Sequence, residues 1–149
     1  MNRDTPTLLS QVMGMVPMVQ TLNIEFIDFE PQRAVFQMAD QAEFRDQTEG
    51  IDIGALFTLG ETAAGALLFG NFGDYLDRVT PLMAGGTMTV DEVARGTITA
   101  TATMVPTPAE ILKQVDAGVR PEWSVDVTLA DEHGTVTGRV VAAMTLRIN

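Results

Sequence analysis

IGALFTLGETAAGALLFGNFG, residues 53–73, is the stretch that decides the fold. Read as a helix, it carries apolar residues on nearly every face, which predicts burial on all sides and not an amphipathic surface helix. Glycine recurs through it at Gly54, Gly60, Gly65 and Gly70, although each glycine inside a helix costs about 1 kcal/mol relative to alanine. We interpret these positions as places where another backbone or a ligand approaches closely.

Glu61 is the one charged residue of this stretch. An isolated buried carboxylate is not tolerated, so burial predicts that Glu61 is paired, hydrogen-bonded or raised in pKa. The stretch also resembles a membrane span by hydropathy. A carboxylate at its centre would cost roughly 2.5–3.5 kcal/mol in a bilayer, and we therefore expect a buried helix of a soluble protein and no membrane partner.

Composition bounds the class of protein. The chain has 149 residues, 46% of them hydrophobic and 19% charged, which predicts one folded domain over 1–149. It contains no cysteine, which removes disulfides and thiolate chemistry and is compatible with the cytoplasm, where we expect it. His133 is the single histidine, so we expect no metal, no cofactor and no histidine-based triad. A net charge of −11 argues against nucleic acid as a partner.

The segments before residue 53 predict a helix followed by a hairpin. Thr5 or Thr7 can cap a first helix that runs to about Leu22. The apolar period then changes to two, which predicts paired strands at 23–29 and 33–39. In the first strand this alternation places Ile24, Phe26 and Asp28 on one face of the strand and the residues between them on the other. A polar loop over 40–52 leads to the central helix, with Asp52 at the N-cap position.

Four strands are predicted after the central helix, at residues 79–90, 96–105, 123–131 and 135–148. A short helix is predicted between the second and third of them, capped by Thr107 with Pro108 at its first position and ended by Gly118. His133 and Gly134 predict the last hairpin turn. The order indicates an α+β fold in which an antiparallel sheet wraps around a long central helix, with an additional N-terminal helix.

Residues 52–63, DIGALFTLGETA, resemble the signature of the PaaI-like thioesterases, which have the hotdog fold. That signature reads His-Gly-Gly, four residues, Leu-Ala-Asp/Glu, one residue, Ala. Gly54, Leu59, Glu61 and Ala63 match it. Asp52 and Ile53 depart from it, because they stand where the family has His and its first Gly. The Asn that often precedes the signature falls near residue 46.

The resemblance implies hydrolysis of an acyl-CoA thioester. In that family the acidic residue of the helix acts as general base or nucleophile on the thioester carbonyl, which assigns the role to Glu61. A backbone N–H at the helix start polarises the carbonyl, which assigns that role to Ile53 or Gly54. The physical basis is sound, because a helix N-terminus presents unpaired N–H groups and a positive dipole end to a developing oxyanion.

Further substrate contacts are candidates with competing structural explanations. Thr58 and Thr62 flank Glu61 and could orient it or a water, although helical threonines more often bond back to their own carbonyls. Asp52 could bind a substrate group, but capping is a sufficient role for it. Arg95 and Arg78 could meet the phosphates of coenzyme A.

Two other functions compete with hydrolysis. The departures at Asp52 and Ile53 favour a hotdog protein that binds an acyl or small apolar ligand without catalysis. A dehydratase or hydratase of this fold would need a catalytic histidine, and His133 lies in a turn.

The spacing of the candidate residues predicts a site built from two chains. Ile53 and Glu61 are eight residues apart, or about 12 Å along one helix, so one carbonyl cannot touch both. Two antiparallel helices in a homodimer would place the start of one beside the middle of the other. Gly54, Gly60 and Ala64 would allow that approach, and pairing of dimers would give a homotetramer.

Overall fold

One six-stranded antiparallel sheet with strand order β1-β2-β4-β5-β6-β3 carries the helices of the protein. The computed structural model describes residues 5–149. The strands are β1 (Glu25–Glu30), β2 (Arg33–Met38), β3 (Val79–Val90), β4 (Ile98–Thr103), β5 (Glu122–Ala130) and β6 (Val136–Ile148). The helices are α1 (Thr5–Gly14), α2 (Pro17–Thr21), α3 (Ile53–Phe72) and α4 (Pro108–Asp116). The predicted α+β architecture is confirmed.

The central helix α3 lies against the sheet with one side fully buried. Leu59, Ala63 and Leu67 have no exposed surface. A Cβ at Gly60 would lie 2.8 Å from a methyl of Val140 on β6, so glycine is required there for the close approach of helix and sheet. Close packing of this kind is the main source of stability for such a helix, because its own propensity is weakened by glycine.

Two of the small residues that were expected at a contact between two α3 helices are not on the exposed side of α3. Gly60 packs on the sheet of its own chain, and Ala64 is completely buried. The prediction that they allow a second chain to approach is therefore wrong. Gly54, by contrast, lies on the exposed side of α3.

The predicted N-terminal helix is broken into α1 and α2. Val16 is extended, with φ −76° and ψ 119°, and Pro17 opens α2. Proline disfavours the α conformation for the residue before it and donates no N–H, so one continuous helix cannot cross this point. The predicted end of the segment holds, since Leu22 is the C-cap of α2.

The first strand departs from simple alternation. A bulge between Phe26 and Asp28 shifts the register against β2, so that Phe29 pairs with Ala34 and is buried while Asp28 is exposed. The expected grouping of Asp28 with the inward residues is wrong, because a bulge adds one residue and exchanges the two faces beyond it.

Local signals in the second half of the chain are confirmed. Thr107 caps α4 by accepting a hydrogen bond from the N–H of Glu110 at 3.1 Å. Gly118 and Gly134 have φ of +76° and +80°, which only glycine adopts without strain. The strands begin and end within about two residues of their predicted bounds.

Two neighbouring surfaces have no partner within the described chain. One is a stripe of α3 away from the sheet, where Ile53 is 52% exposed, Phe69 is 46% exposed and Glu61 is also exposed. The sheet covers one side of α3, as predicted, and the predicted burial of the remaining side is not reached within the described chain. The other is the outer edge of β3, a strand of 12 residues that pairs only with β6.

Within the described residues, one segment, Ile53–Tyr75, is long and apolar enough to cross a membrane by length and composition. In this fold most of that segment is buried against the sheet, as is typical of the core helix of a globular domain.

Candidate active-site groove

The start of α3 is held in place by hydrogen bonds and a bridge to two other segments, residues 44–45 and the loop that contains Ala94. The N–H of Ile51 donates to the carbonyl of Ala94 at 2.8 Å, and the N–H of Asp52 donates to the carbonyl of Phe44 at 2.8 Å. An isolated bridge pairs Arg45 with Ile51. The loop before α3 therefore fixes the direction in which the first amides of the helix point.

Asp52 caps α3, as predicted, and in doing so uses a candidate oxyanion donor. Its Oδ2 accepts a hydrogen bond from the N–H of Gly54 at 2.9 Å. A thioester oxygen could bind this amide only by displacing or sharing it with a carboxylate. Within the described residues the N–H of Ile53 has no such acceptor, so Ile53 is the freer of the two predicted donors.

Glu61 lies near the middle of the exposed stripe of α3. Among residues 5–149 its carboxylate has no hydrogen-bond or ion-pair partner. The expectation of a buried and paired carboxylate is wrong for the single chain, because the side of α3 that carries Glu61 faces away from the sheet. The group is free to act on a molecule that enters from that side.

The exposed side of α3 forms the floor of two adjoining hollows. The first, which we call the helix-start hollow, has a volume of about 480 Å³. The second, the central groove, has a volume of about 620 Å³ and is lined by Glu61. Met18 and Thr58 line both, so the two hollows meet between the start of α3 and Glu61.

The central groove is walled by its own chain on three sides. α2 and the end of α1 form one side, α3 forms the floor, and the beginning of β3 forms the other side. Most lining side chains are apolar; they include Met13, Met18, Val19, Leu68, Phe69 and Met83. The groove therefore offers one carboxylate beside an extended apolar surface.

Thr58 and Thr62 both donate their hydroxyl hydrogens back into α3. Thr58 Oγ1 donates to the carbonyl of Gly54 at 2.9 Å, and Thr62 Oγ1 donates to the carbonyl of Thr58 at 2.7 Å. Their oxygens can still accept a hydrogen bond from a ligand or a water. This is the structural role that the sequence already favoured for them.

The two predicted phosphate-binding arginines lie in different places. Arg95 is exposed next to the loop that leads into α3, where its guanidinium donates to the carbonyl of Thr48 at 3.1 Å. Arg78 lies beyond the opposite end of α3 and forms an ion pair with Asp116. The structure brings Arg95, but not Arg78, to the end of the helix that carries the candidate oxyanion donors.

Two acidic residues of the loop before α3, Asp40 and Asp46, hydrogen-bond to neighbouring side chains of the same loop. Hydrogen bonds from the hydroxyl and the amide of Thr48 hold the pKa of Asp46 below its usual value. Arg45, which lines the helix-start hollow, makes a two-point contact with Asp40 at 3.1 and 2.7 Å and lowers the pKa of that carboxyl. Arg45 is a basic group near the site that the sequence reasoning missed.

Other lining residues were also missed, although a signal for some of them existed. Gly65 and Phe69 follow Glu61 at intervals of four residues, which places them on one side of a helix. Met18 and Met83 come from distant segments, and no local pattern connects them with Glu61. His133 lies in the turn between β5 and β6 and does not line either hollow.

The family model for a domain of unknown function, DUF4442, matches residues 5–146. The chain belongs to the DUF4442 family. No functionally curated protein matches its sequence.

Solved structures share the fold of this DUF4442 domain. PA5026 of Pseudomonas aeruginosa, called a protein of unknown function and probable thioesterase, aligns with a TM-score of 0.83 at 24% identity over 96% of this chain and 95% of its own. The Escherichia coli PaaI protein of the phenylacetic acid degradation operon aligns with a TM-score of 0.75 at 16% identity, covering 97% and 94%. A mutant of the thioesterase PA1618 of P. aeruginosa aligns with a TM-score of 0.72 at 14% identity, covering 96% and 94%. The predicted hotdog fold is thus confirmed.

Proposed function

We propose that this DUF4442 domain hydrolyses the thioester bond of an acyl-CoA. The observation that carries the proposal is the position of Glu61, an unpaired carboxylate in the wall of an apolar groove. The groove runs into the hollow at the amide end of the same helix. A ligand with an apolar tail and a polar reacting carbonyl matches this distribution, and the names of several structural neighbours favour thioester chemistry.

Glu61 would act in one of two ways on the thioester carbonyl. As a general base it would take a proton from a water that attacks the carbonyl carbon, and as a nucleophile it would form an anhydride that water then cleaves. In both routes the carbonyl oxygen gains negative charge and the coenzyme A thiolate leaves. The first amides of α3, those of Ile53 and Gly54, lie at the positive end of the helix dipole and would stabilise that oxygen, that of Gly54 only when Asp52 releases it.

The reacting pair is proposed to come from two chains. Within one chain the amide of Ile53 and the carboxylate of Glu61 are separated by about 12 Å along the helix. The exposed stripe of α3 and the free edge of β3 lie side by side, since a Cβ at Gly86 of β3 would lie 3.3 Å from the ring of Phe57. A second copy could extend the sheet across β3 and place its α3 antiparallel to the first.

Sedimentation at micromolar concentration tests the assembly. We expect a homodimer, and we expect a β3 variant such as Thr87→Pro to weaken it, because proline adds bulk and removes a donor on this edge strand. A monomer that hydrolyses acyl-CoA at full rate would contradict the two-chain site. A tetramer would be compatible with it only if the α3 helices still meet.

A panel of acyl-CoA esters tests the activity. Purified protein is expected to release free thiol, and Glu61→Gln is expected to lower kcat by at least about a hundredfold, as for loss of a general base. Glu30→Gln, which changes an exposed carboxylate of β1, is the matched control. If Glu61→Gln retains the wild-type kcat while the parent is active, Glu61 is structural.

The second candidate is binding of an acyl or small apolar ligand without hydrolysis. The cap of Asp52 on the N–H of Gly54 favours it, because a carboxylate occupies one of the two predicted oxyanion donors and would repel a developing oxyanion nearby. Saturable binding of an acyl-CoA without thiol release, in wild type and in Asp52 variants alike, would establish this alternative.

A further inference from the structure

The central groove continues beyond Glu61 along α3 and stops at one aromatic side chain. Phe69 is 46% exposed and lines the groove. It also lines a second apolar cavity of about 380 Å³, whose wall includes Leu8, Leu9, Gly73 and Leu76. Phe69 is thus the lining residue that the two apolar spaces share.

Gly65 lies on the floor of the groove between Glu61 and Phe69. Apart from its chain neighbours and the nearby backbone of α3, a Cβ built at Gly65 would meet no described protein atom within 4 Å, unlike one at Gly60. Glycine is a poor helix former, and nothing in the folded chain requires it at this position. Its absent side chain leaves the floor of the groove open for another molecule.

We propose that the groove binds a linear aliphatic acyl chain and that Phe69 sets its maximum length. This inference rests on the proposed thioester function, for which the carbonyl lies beside Glu61. A volume near 620 Å³ is in the range of ligand sites, and its flexible methionines suit an alkyl chain better than a fixed polar group would. Among the lining residues within 5–149, Glu61 alone is charged, so the tail would lie against uncharged side chains of this part of the chain.

The distance along α3 between Glu61 and Phe69 sets the length of acyl chain that the groove can hold. From Glu61 to Phe69 is eight residues, or about 12 Å of helix. An extended alkyl chain with bonds near 1.5 Å and near-tetrahedral angles advances about 1.25 Å per carbon. The groove therefore accommodates acyl chains of about eight to ten carbons before the tail reaches the Phe69 ring.

The test is the chain-length profile of kcat/KM with saturated acyl-CoA esters from about four to about sixteen carbons. Phe69→Ala is expected to join the two cavities and move the optimum up by about four to five carbons, because Gly73 in the second cavity lies about 6 Å further along the helix. Gly65→Leu is expected to move it down to about five carbons or fewer, since residue 65 lies about 6 Å from Glu61. Leu76→Ala, which removes an apolar side chain from the second cavity alone, should leave the wild-type profile unchanged.

Binding of free saturated fatty acids to the same proteins separates this proposal from the proposed function. If no acyl-CoA is hydrolysed but fatty-acid affinity peaks at about eight to ten carbons and shifts with Phe69→Ala, the groove proposal stands and hydrolysis fails. A flat profile, or one that Phe69→Ala and Gly65→Leu do not shift, overturns the groove proposal whether or not the protein is a thioesterase. A change of oligomeric state in Phe69→Ala without a change of profile also overturns it, because the ring would then serve the contact between chains.

Discussion

Replacing Asp52 should accelerate thioester hydrolysis, although the substitution removes a helix cap. The carboxylate accepts the N–H of Gly54 at 2.9 Å. An oxyanion that approaches this amide would lie within about 5 Å of the carboxylate, since both acceptors lie near 3 Å from one nitrogen. Two like charges about 4 Å apart repel by about 1 kcal/mol in water and about 4 kcal/mol at the effective dielectric of a protein surface.

If this repulsion raises the energy of the transition state, its removal should raise kcat by the corresponding factor. Asp52→Asn keeps a capping oxygen but removes the charge, so kcat should rise by a factor between about five and several hundred, at 1.36 kcal/mol per tenfold. Asp52→Gly also frees the amide, and one oxyanion donor is worth a further factor of about a hundred or more. Glycine is a tolerated cap, so the loss of stability should be only a few tenths of a kcal/mol.

Steady-state thiol release with one acyl-CoA measures both variants, and circular dichroism during urea unfolding checks that α3 is intact. Asp46→Asn is the matched control, since it alters a neighbouring carboxylate that does not cap α3. Unchanged rates in both Asp52 variants would refute the reasoning that this cap opposes catalysis. A rate that falls in Asp52→Asn would show instead that the charge of Asp52 contributes to the reaction.

Three further outcomes are expected. Gly60→Ala should destabilise the protein by about 1–3 kcal/mol through overpacking, whereas Gly65→Ala should stabilise the monomer fold by up to about 1 kcal/mol; equal unfolding midpoints in urea would contradict this. Because the pKa of Asp46 is lowered in the fold, its contribution to stability is present above its unfolded pKa of about 3.9 and is lost as the pH falls through the lower folded value. The protection of amide hydrogens in the loop before α3, measured relative to their intrinsic exchange rates, should therefore fall at acidic pH, but not in Asp46→Asn. Arg95→Ala should raise the KM for an acyl-CoA more than Arg78→Ala, because Arg78 is already paired; the reverse order of KM values would count against Arg95 as a phosphate contact.

Features fixed by a few neighbouring residues could be predicted from the sequence. The caps at Asp52 and Thr107 each depend on one side chain and an amide two or three residues away, so the local sequence is sufficient to identify them. The same holds for Gly134, whose turn requires a positive φ. The α+β architecture followed from the order of periods, helical then alternating, along the chain, and the hotdog fold from the resemblance of residues 52–63 to the PaaI-like signature.

Features that depend on contacts between distant segments were missed. The face of α3 that remains open is decided by where the sheet lies, and hydropathy did not distinguish Gly60 from Gly65. The bulge near Asp28 depends on the partner strand, which no local pattern describes. The same limit applies to the groove, since Met83 is brought to Glu61 only by folding.

The break at Pro17 has a consequence for the timing of ligand entry. It leaves one wall of the groove as helices of 10 and 5 residues, lengths at which a helix in water is marginal without packing. Leu9, Val19 and Leu22 anchor these helices to the core. Because these few contacts hold the wall, we expect the exchange of a bulky ligand to depend on their local release more than on the width of the groove.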